Sequence, residues 1–510
     1  MARRRSPPRY LVAASSGRRG YVESADVVVA IRSMDQPEKV FQYMADYGDT
    51  DTSTYEVALR ALARLSGERE VGDRVARDGR FHAMLAAVAG GLEGCGPELL
   101  VRLAGACAAF QARTEQLDDL MHRLAETARR QRGLSPGDLA ALARALAARG
   151  VRDEATLDFV RTEALRRMDS LEPEHCVMLL ESVKRWGISD RELVDRLVER
   201  MADAVERFSS QDAAAALALA ADMGLARGFL LRRLLALARE NVRQLSPREL
   251  TRTAGALARL RFLGERDVGV FAAAAAEVLE EIQGAGLSEL LLALALADAR
   301  GELALARAIL ARCAEDGYLE GRSPASLADI CWAICSLELQ ADAGNVLQKA
   351  LQELFQREPP TDKAALLRTF DVLCTLGEAA ADLPQAPERW RAACREAERR
   401  AMRRAEASRL HREVQMRLEN LCSLRWGLMP IASQPCGPYL VGFLDAETKL
   451  AIDVEAVTHP TTTLLKHRVL AQLGYRPLRL EHWEWRRGRS ESEQAAFLEE
   501  KLRGALEVAA

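Results

Sequence analysis

A repeat of 37 residues constrains this chain more than any other feature of its sequence. Blocks of one pattern recur at this fixed spacing, beginning at Leu134, Leu171, Phe208, Leu245 and Ile282. A related block begins at Arg322, three residues late, and another aligns with its start at Cys95. A period of this length predicts stacked supersecondary units, because one such unit cannot bury its own apolar face.

Each block predicts two helices. Ser or Thr with Pro opens the first helix, which carries Ala and Leu at helical spacing. Glycines then mark its C-terminal end, at Gly67, Gly150, Gly187 and Gly224. We therefore predict a mainly α fold, an α-solenoid of about six or seven helical hairpins over residues 31–376. Such a surface can bind protein, peptide or RNA, and the fold alone does not choose between them.

The composition excludes several classes of protein. With a net charge of -3, the chain has no global basic field, so a nucleic-acid surface must be a local patch. The ten cysteines form no CxxC and no zinc-type quartet with His, which favours a reducing compartment without disulfides. We find no P-loop, GxSxG or HExxH motif and no long apolar run. We expect no cofactor, no metal and no membrane span.

The first 22 residues differ from the rest. They contain several Arg and Ser residues, and the first acidic residue is Glu23. This composition resembles an organellar transit peptide, which we predict over residues 1–30. We expect a mitochondrial location, with the plastid as the alternative; the other interpretation is a disordered basic tail.

Residues 377–430 are predicted to contain a linker and an Arg-rich helix. Residues 377–390 include prolines, and a helix is predicted from Arg389 to Glu419, with ten Arg against five Glu. Pairs such as Glu396–Arg400 suit a solvated helix, whereas the charge excess suits contact with phosphates. A second break is expected at 426–439, which holds three Pro and two Gly.

The pattern then changes to that of a small α/β module, assigned to residues 431–506. Strands are predicted at 439–445, 450–457 and 475–485, and helices at 463–474 and 492–506. The order is β-β-α-β-α.

This module resembles the RAP domain. The resemblance lies in the run IDVEAVTH at 452–459, the run LKHRVL at 465–470, Gly474-Tyr475, and Trp483-Glu484-Trp485. Residues 408–421 resemble the segment that commonly precedes such domains. RAP domains follow helical-repeat arrays in organellar RNA-binding proteins, and a 37-residue repeat resembles the heptatricopeptide class. The resemblance implies a restriction-endonuclease-like fold for the module.

The same resemblance implies binding of single-stranded organellar RNA, either mRNA or rRNA. The expected role is non-catalytic, in RNA stability, processing, rRNA metabolism or translation. One alternative is a structural or assembly component of an organellar ribosome, with ribosomal proteins as partners. Another is a metal-dependent RNA endonuclease.

Cations and aromatic rings cluster in the module, as in single-stranded RNA binding, where they contact phosphates and unstacked bases. The candidate RNA contacts are Lys466, Arg468, Tyr475, Arg476, Arg479, Trp483, Trp485, Arg486 and Arg487. The alternative for each Trp is packing in the core.

An acidic cluster is the candidate for the endonuclease alternative. Asp453 and Glu455 share one strand face, and His459 follows, a set that could bind Mg²⁺. However, Gly442 occupies the position of the first acid of such cores, and no Lys lies two residues after either acid. We therefore expect no catalysis; Asp453 would instead pair with Lys466, Arg468 or an RNA-facing helix.

Overall fold

The computed structural model describes residues 24–46, 51–131, 133–225, 228–260, 265–315, 317–377, 382–421, 430–455, 463–481, 485 and 490–507. The chain divides into two compact units, Met1–Arg200 and Met201–Ala510. Of the predicted transit peptide at 1–30, residues 1–23 lie outside the described residues and residues 24–30 belong to a helix.

The first unit consists of helices. They are α1 (Ser24–Arg32), α2 (Pro37–Asp46), α3 (Thr52–Leu65), α4 (Arg69–Arg77), α5 (Gly79–Gly91), α6 (Pro97–Ala108), α7 (Glu115–Arg130), α8 (Pro136–Arg149), α9 (Glu154–Arg166) and α10 (Pro173–Trp186). The next helix, α11 (Arg191–Asp203), runs across the division. Within the unit, α3, α6, α8 and α10 pack each against the next, and so do α5, α7 and α9. Helical hairpins therefore stack, as the repeat predicts.

The second unit continues the pattern with α12 (Ser210–Met223), α13 (Gly228–Glu240), α14 (Pro247–Arg259), α15 (Glu265–Glu277), α16 (Gly286–Leu296), α17 (Leu303–Cys313), α18 (Pro324–Ser336), α19 (Val346–Gln356) and α20 (Lys363–Leu376). Here α12, α14, α16, α18 and α20 pack each against the next. Two further helices follow, α21 (Glu388–Glu406) and α22 (Arg409–Leu421).

Local sequence signals set the ends of the repeat helices. Ser135, Ser209 and Ser246 cap α8, α12 and α14, each in a capping box with the residue three positions later. Gly150, Gly187 and Gly224 end α8, α10 and α12 in the left-handed conformation, with φ of 77°, 67° and 65°. Gly67 differs, since α3 ends at Leu65 with Ser66 as its cap.

Arginines link neighbouring repeats in a way that the sequence did not reveal. A guanidinium donates to backbone carbonyl oxygens about one repeat earlier, from Arg64, Arg149, Arg200, Arg312, Arg357 and Arg389. The Arg200 Nε atom lies 2.8 Å from the Leu171 carbonyl oxygen, for example. The accepting carbonyls lie in the turns between helices or near helix ends, and the bonds give them partners. Part of the excess of 64 Arg over seven Lys is therefore structural.

The C-terminal module has strands β1 (Ile431–Cys436), β2 (Tyr439–Asp445), β3 (Leu450–Glu455) and β4 (Arg476–Glu481), with α23 (Thr463–Gln472) and α24 (Glu491–Glu507). The sheet order is β1-β2-β3-β4. Strand β2 is antiparallel to both β1 and β3, and β3 is parallel to β4. Its core contains Phe443, Ile452, Leu480, Trp485, Leu498 and Leu502, with Val414 and Leu418 of α22.

Two details correct the sequence interpretation. The predicted break at 426–439 contains strand β1, so the module begins with three strands in a row. Pro435 is tolerated because β1 is an edge strand, where the missing N–H removes no inner ladder bond. The single helix predicted from Arg389 to Glu419 is two helices, since Ser408 starts a new one by accepting the His411 N–H at 3.1 Å.

No helix in the described ranges is long and apolar enough to cross a membrane.

The left-handed helix ends predict a specific stability effect. Gly187→Ala should strain the backbone at a positive φ, which costs about 1–2 kcal/mol. Amide exchange in residues 173–186 should then accelerate by about fivefold to thirtyfold, measured by peptide-resolved hydrogen exchange.

Gly105→Ala is the matched control. Gly105 is exposed inside α6, has no positive φ, and its added Cβ would meet nothing within 4 Å. This substitution should slow exchange in residues 97–108 by about twofold to fivefold. Equal effects of the two substitutions would contradict this account of the helix ends.

Candidate functional site

The centre of the C-terminal module is a buried ion pair between Asp453 of β3 and Lys466 of α23. The Lys466 Nζ atom lies 3.0 Å from Asp453 Oδ2 and 2.7 Å from the Leu440 carbonyl oxygen. The Gly442 N–H donates to Asp453 Oδ1 at 3.3 Å, and His467 Nε2 lies 3.3 Å from Asp453 Oδ2. The carboxylate is therefore surrounded by partners from α23 and β2.

Both members of this pair are charged. Burial alone would raise the pKa of Asp453, but the Lys466 ammonium and the His467 ring outweigh it and hold the pKa well below its usual value. Burial would lower the pKa of Lys466, but the carboxylates of Asp453 and Glu398 raise it. Of the expected partners of Asp453, Lys466 is thus the one that the structure places beside it.

Gly442 is closely packed by its neighbours. A Cβ atom there would lie 3.0 Å from the Ile452 carbonyl oxygen and 3.4 Å from Cε1 of His411. His411 in turn stacks on Phe443, with 4.6 Å between the ring centroids. A side chain at this position, where restriction-endonuclease-like cores carry an acid, would therefore require these neighbours to move by a few tenths of an ångström.

A second buried polar group joins the module to the last helices of the repeat array. Asp371 of α20 accepts the Trp332 indole N–H at 3.1 Å. Glu398 of α21 accepts the Leu440 backbone N–H at 3.4 Å. Tyr439 of β2 is also buried, and its ring stacks edge to face with Phe370 of α20 at 5.4 Å. Residues from α18, α20, α21 and β2 thus meet in one interior.

The two carboxyls of this second group hold their protons to higher pH than usual. Burial raises the pKa of Asp371 well above its ordinary value, and the Glu398 carboxyl adds to that shift. Burial also raises the pKa of Glu398, which Lys466 only partly opposes. The interior therefore holds one charged pair beside two carboxyls that favour the neutral form.

Sequence reasoning did not identify Asp371, Glu398, Trp332 or Tyr439. One signal was present for Glu398, since it lies on the apolar stripe of α21 with Trp390, Cys394 and Met402. A charged residue in such a stripe is buried and needs a partner.

Three predicted RNA contacts have structural partners instead. Lys466 is 6% exposed and Trp485 is 4% exposed, and the Trp485 indole donates to Glu413 Oε2 at 3.1 Å. The guanidinium of Arg468 donates to Asp298 Oδ1 at 2.8 Å and to the Ser336 carbonyl oxygen. The structure corrects the prediction for Lys466 and Trp485, because a buried side chain presents neither a cation nor a ring face to RNA.

The other predicted residues are distributed as follows. Tyr475, Arg476 and Arg479 are half-buried, at or beside β4. In the register of the parallel strands β3 and β4, Asp453 lies opposite Arg479 and Glu455 lies opposite Glu481. The predictions for His459, Trp483, Arg486 and Arg487 lie outside the described residues. Among the residues that the structure describes, no three His, Cys, Asp or Glu side chains are arranged to hold a metal ion.

The buried pair predicts a large loss of stability when one partner is removed. Lys466→Met should leave Asp453 as a buried carboxylate without its ammonium, at a cost of about 3–5 kcal/mol. The exposed Lys363→Met is the matched control and should change the unfolding temperature little, as measured by calorimetry.

Adding Asp453→Asn to Lys466→Met should cost less than the sum of the two single losses, because the two groups interact directly. Strict additivity, or equal effects of Lys466→Met and Lys363→Met, would contradict the pairing.

The raised pKa of Asp371 predicts a pH dependence of stability. Between the unfolded-state pKa, about 4, and the raised folded-state value, the fold binds more protons than the unfolded chain, so stability falls as pH rises. Asp371→Asn removes this penalty, so its unfolding temperature should gain on the wild type from about pH 5 to about pH 8. Exposed Asp382→Asn should keep a constant difference. A constant difference for Asp371→Asn as well would refute the assignment.

Two known families match parts of this chain. Residues 84–302 match the family described as RNA-editing substrate-binding complex 6 protein, and residues 452–501 match the RAP domain. No curated protein matches the chain. The first match covers the region from α5 to the turn after α16, and the second runs from β3 into α24. The predicted architecture is confirmed: the chain carries a RAP domain at residues 452–501, following an α-helical repeat array.

Proposed function

We propose that this protein binds single-stranded organellar RNA and acts in the stability or processing of that RNA without cleaving it. The observation that carries the proposal is the presence of two family matches on one chain. The RNA-editing substrate-binding complex 6 family matches within the repeats, and the RAP domain matches after them. The family name concerns an RNA substrate, and the resemblance of the RAP module implies organellar RNA as well.

The chemistry of Asp453 supports a non-catalytic role. A nuclease needs carboxylate oxygens that are open to a divalent metal and to water. Here the carboxylate is 6% exposed and is bonded to Lys466, Gly442 and His467. Position 442, where restriction-endonuclease-like cores carry their first acid, is a glycine in this chain.

The composition of residues 1–22 supports import into an organelle. This Arg- and Ser-containing segment without acidic residues suits a mitochondrial transit peptide, and a plastid location is the alternative.

Arg476 provides the sharpest test of RNA contact by the module. It lies at the start of β4, half-buried, and makes no ion pair with any residue in the described ranges. Arg476→Ala should remove one phosphate contact and lower the slope of log binding constant against log salt by about 0.7. The measurement is a fluorescence anisotropy titration of a single-stranded RNA at several salt concentrations.

Arg69→Ala, at an exposed position of α4, removes the same charge away from β4 and serves as the control. It should leave the slope unchanged. Equal slopes for Arg476→Ala and the wild type would contradict RNA contact at β4.

Crosslinking in the organelle, with sequencing of the bound RNA, tests the cellular role. A few sharp sites on transcripts would support stability or processing, whereas sites spread over ribosomal RNA would support the ribosome-assembly alternative. Absence of crosslinks would overturn the RNA-binding proposal. Mg²⁺-dependent RNA cleavage that Glu455→Gln abolishes would overturn the non-catalytic part.

A further inference from the structure

Helix α21 presents an arginine surface that neither family match covers. Its residues lie between 302 and 452, outside both matched regions. The surface is formed by six exposed arginines, Arg391, Arg395, Arg399, Arg400, Arg403 and Arg404. They span 14 residues, from Arg391 to Arg404, which is about 20 Å along the helix axis.

Packing fixes which face of α21 is exposed. Trp390, Cys394 and Met402 are buried on the opposite face, and the helix packs against α20 and β2. The Trp390 indole donates to the Arg357 carbonyl oxygen at 2.9 Å, which ties the start of the helix to the preceding repeat. The six arginines therefore lie around the exposed part of α21, which covers more than half of the helix circumference.

The acids of α21 do not neutralise this face. Glu396 is shared by Arg399, Arg400 and Arg403 at 3.4, 2.7 and 3.1 Å, and Glu388 pairs with Arg395.

The other two acids of the helix are engaged elsewhere. Glu398 is buried on the opposite face, where burial raises its pKa, and Glu406 accepts a hydrogen bond from Ser433. Six arginines thus meet two exposed carboxylates, an excess of four positive charges.

The two remaining arginines are open to a partner. The Arg391 guanidinium donates to a neutral amide, Gln385 Oε1, at 3.3 Å and forms no ion pair with the residues that the structure describes. Arg404 is exposed and has no ion pair within the described part of the chain. Like charges also repel along the helix, since Arg395 and Arg399, Arg399 and Arg403, and Arg400 and Arg404 are each four residues apart. A bound polyanion would relieve that repulsion.

We propose that this arginine surface binds the phosphate backbone of the RNA, independently of its base sequence. The inference rests on the proposed RNA-binding function and adds a contact site outside both matched families. Guanidinium groups donate two parallel hydrogen bonds to a phosphate and stay charged at every physiological pH. Such contacts position the RNA and raise its affinity, and they carry no base selection.

The test replaces three arginines at one end of the surface. The variant combines Arg400→Gln, Arg403→Gln and Arg404→Gln in the full chain. It should lower the slope of log binding constant against log salt by about 2, because each lost phosphate contact contributes about 0.7. Affinity at about 0.1 M salt should fall at least about tenfold, and by the same factor for RNA oligonucleotides of different sequence. Bound RNA should also slow amide exchange in residues 388–406 of the wild type.

The matched control is the triple change Arg69→Gln, Arg74→Gln and Arg77→Gln on α4. It removes the same charge from an exposed helix whose arginines alternate with Glu70 and Asp73. The control should keep both the slope and the affinity of the wild type. Circular dichroism of both variants would verify that each keeps its helical content.

The outcomes separate this inference from the function on which it rests. If the wild type binds RNA and the α21 variant binds it equally well, the inference alone is overturned. An equal loss in the two triple variants also overturns it, because net charge then suffices. If the α21 variant keeps its RNA binding but loses binding of poly-glutamate that the wild type shows, the inference is overturned in favour of an acidic protein partner. A wild type without affinity for RNA would overturn the proposed function as well.

Discussion

The buried ion pair between Lys466 and Asp453 determines how the C-terminal module is assembled. Its ammonium bonds the β3 carboxylate and the β2 carbonyl of Leu440, so it joins α23 to two strands. The Lys466 ammonium also lies near Glu398 of α21. Burial raises the pKa of Glu398, and the ammonium partly opposes that rise. A buried charge is tolerated only where such partners surround it. The module and the last repeat helices are therefore coupled through one interior.

This coupling gives the module a fixed place on the helices that precede it in the second unit. Helix α23 packs against α18 and α20, and Arg468 bonds the turn after α16 and the end of α18. Asp371 and Tyr439 add buried polar surface to the same junction. The arginine surface of α21 is thereby held beside β2 rather than on a free linker.

Arginine serves two purposes in this chain, and only the structure separates them. Many guanidinium groups bond carbonyls of the preceding repeat or acids in a neighbouring helix, as Arg368 does with Asp329. Those on α21 share too few acids to be neutralised. The sequence shows the same residue type in both places, because the distinction depends on which carbonyls and acids packing brings near.

Features set by local signals could be predicted from the sequence. The helices of the repeat follow from Ser caps, from Ala and Leu at helical spacing and from glycines such as Gly187, all within one block. Features set by distant packing could not: Asp371 and Tyr439 are 68 residues apart in the chain but meet in one interior. Lys466 was expected to contact RNA because it belongs to a cluster of cations and aromatic residues, yet it is buried and bonds Asp453 of β3 and the Leu440 carbonyl oxygen of β2. Strand β1 was missed because Pro435 is a poor strand residue except at an edge.

The most direct test of this account is ultraviolet crosslinking of the full chain to a single-stranded RNA, with mass spectrometry of the crosslinked peptides. The account predicts crosslinks in residues 388–406 and 475–487, lost when excess unlabelled RNA competes. Crosslinks confined to residues 24–200, or none in either predicted segment, would contradict it.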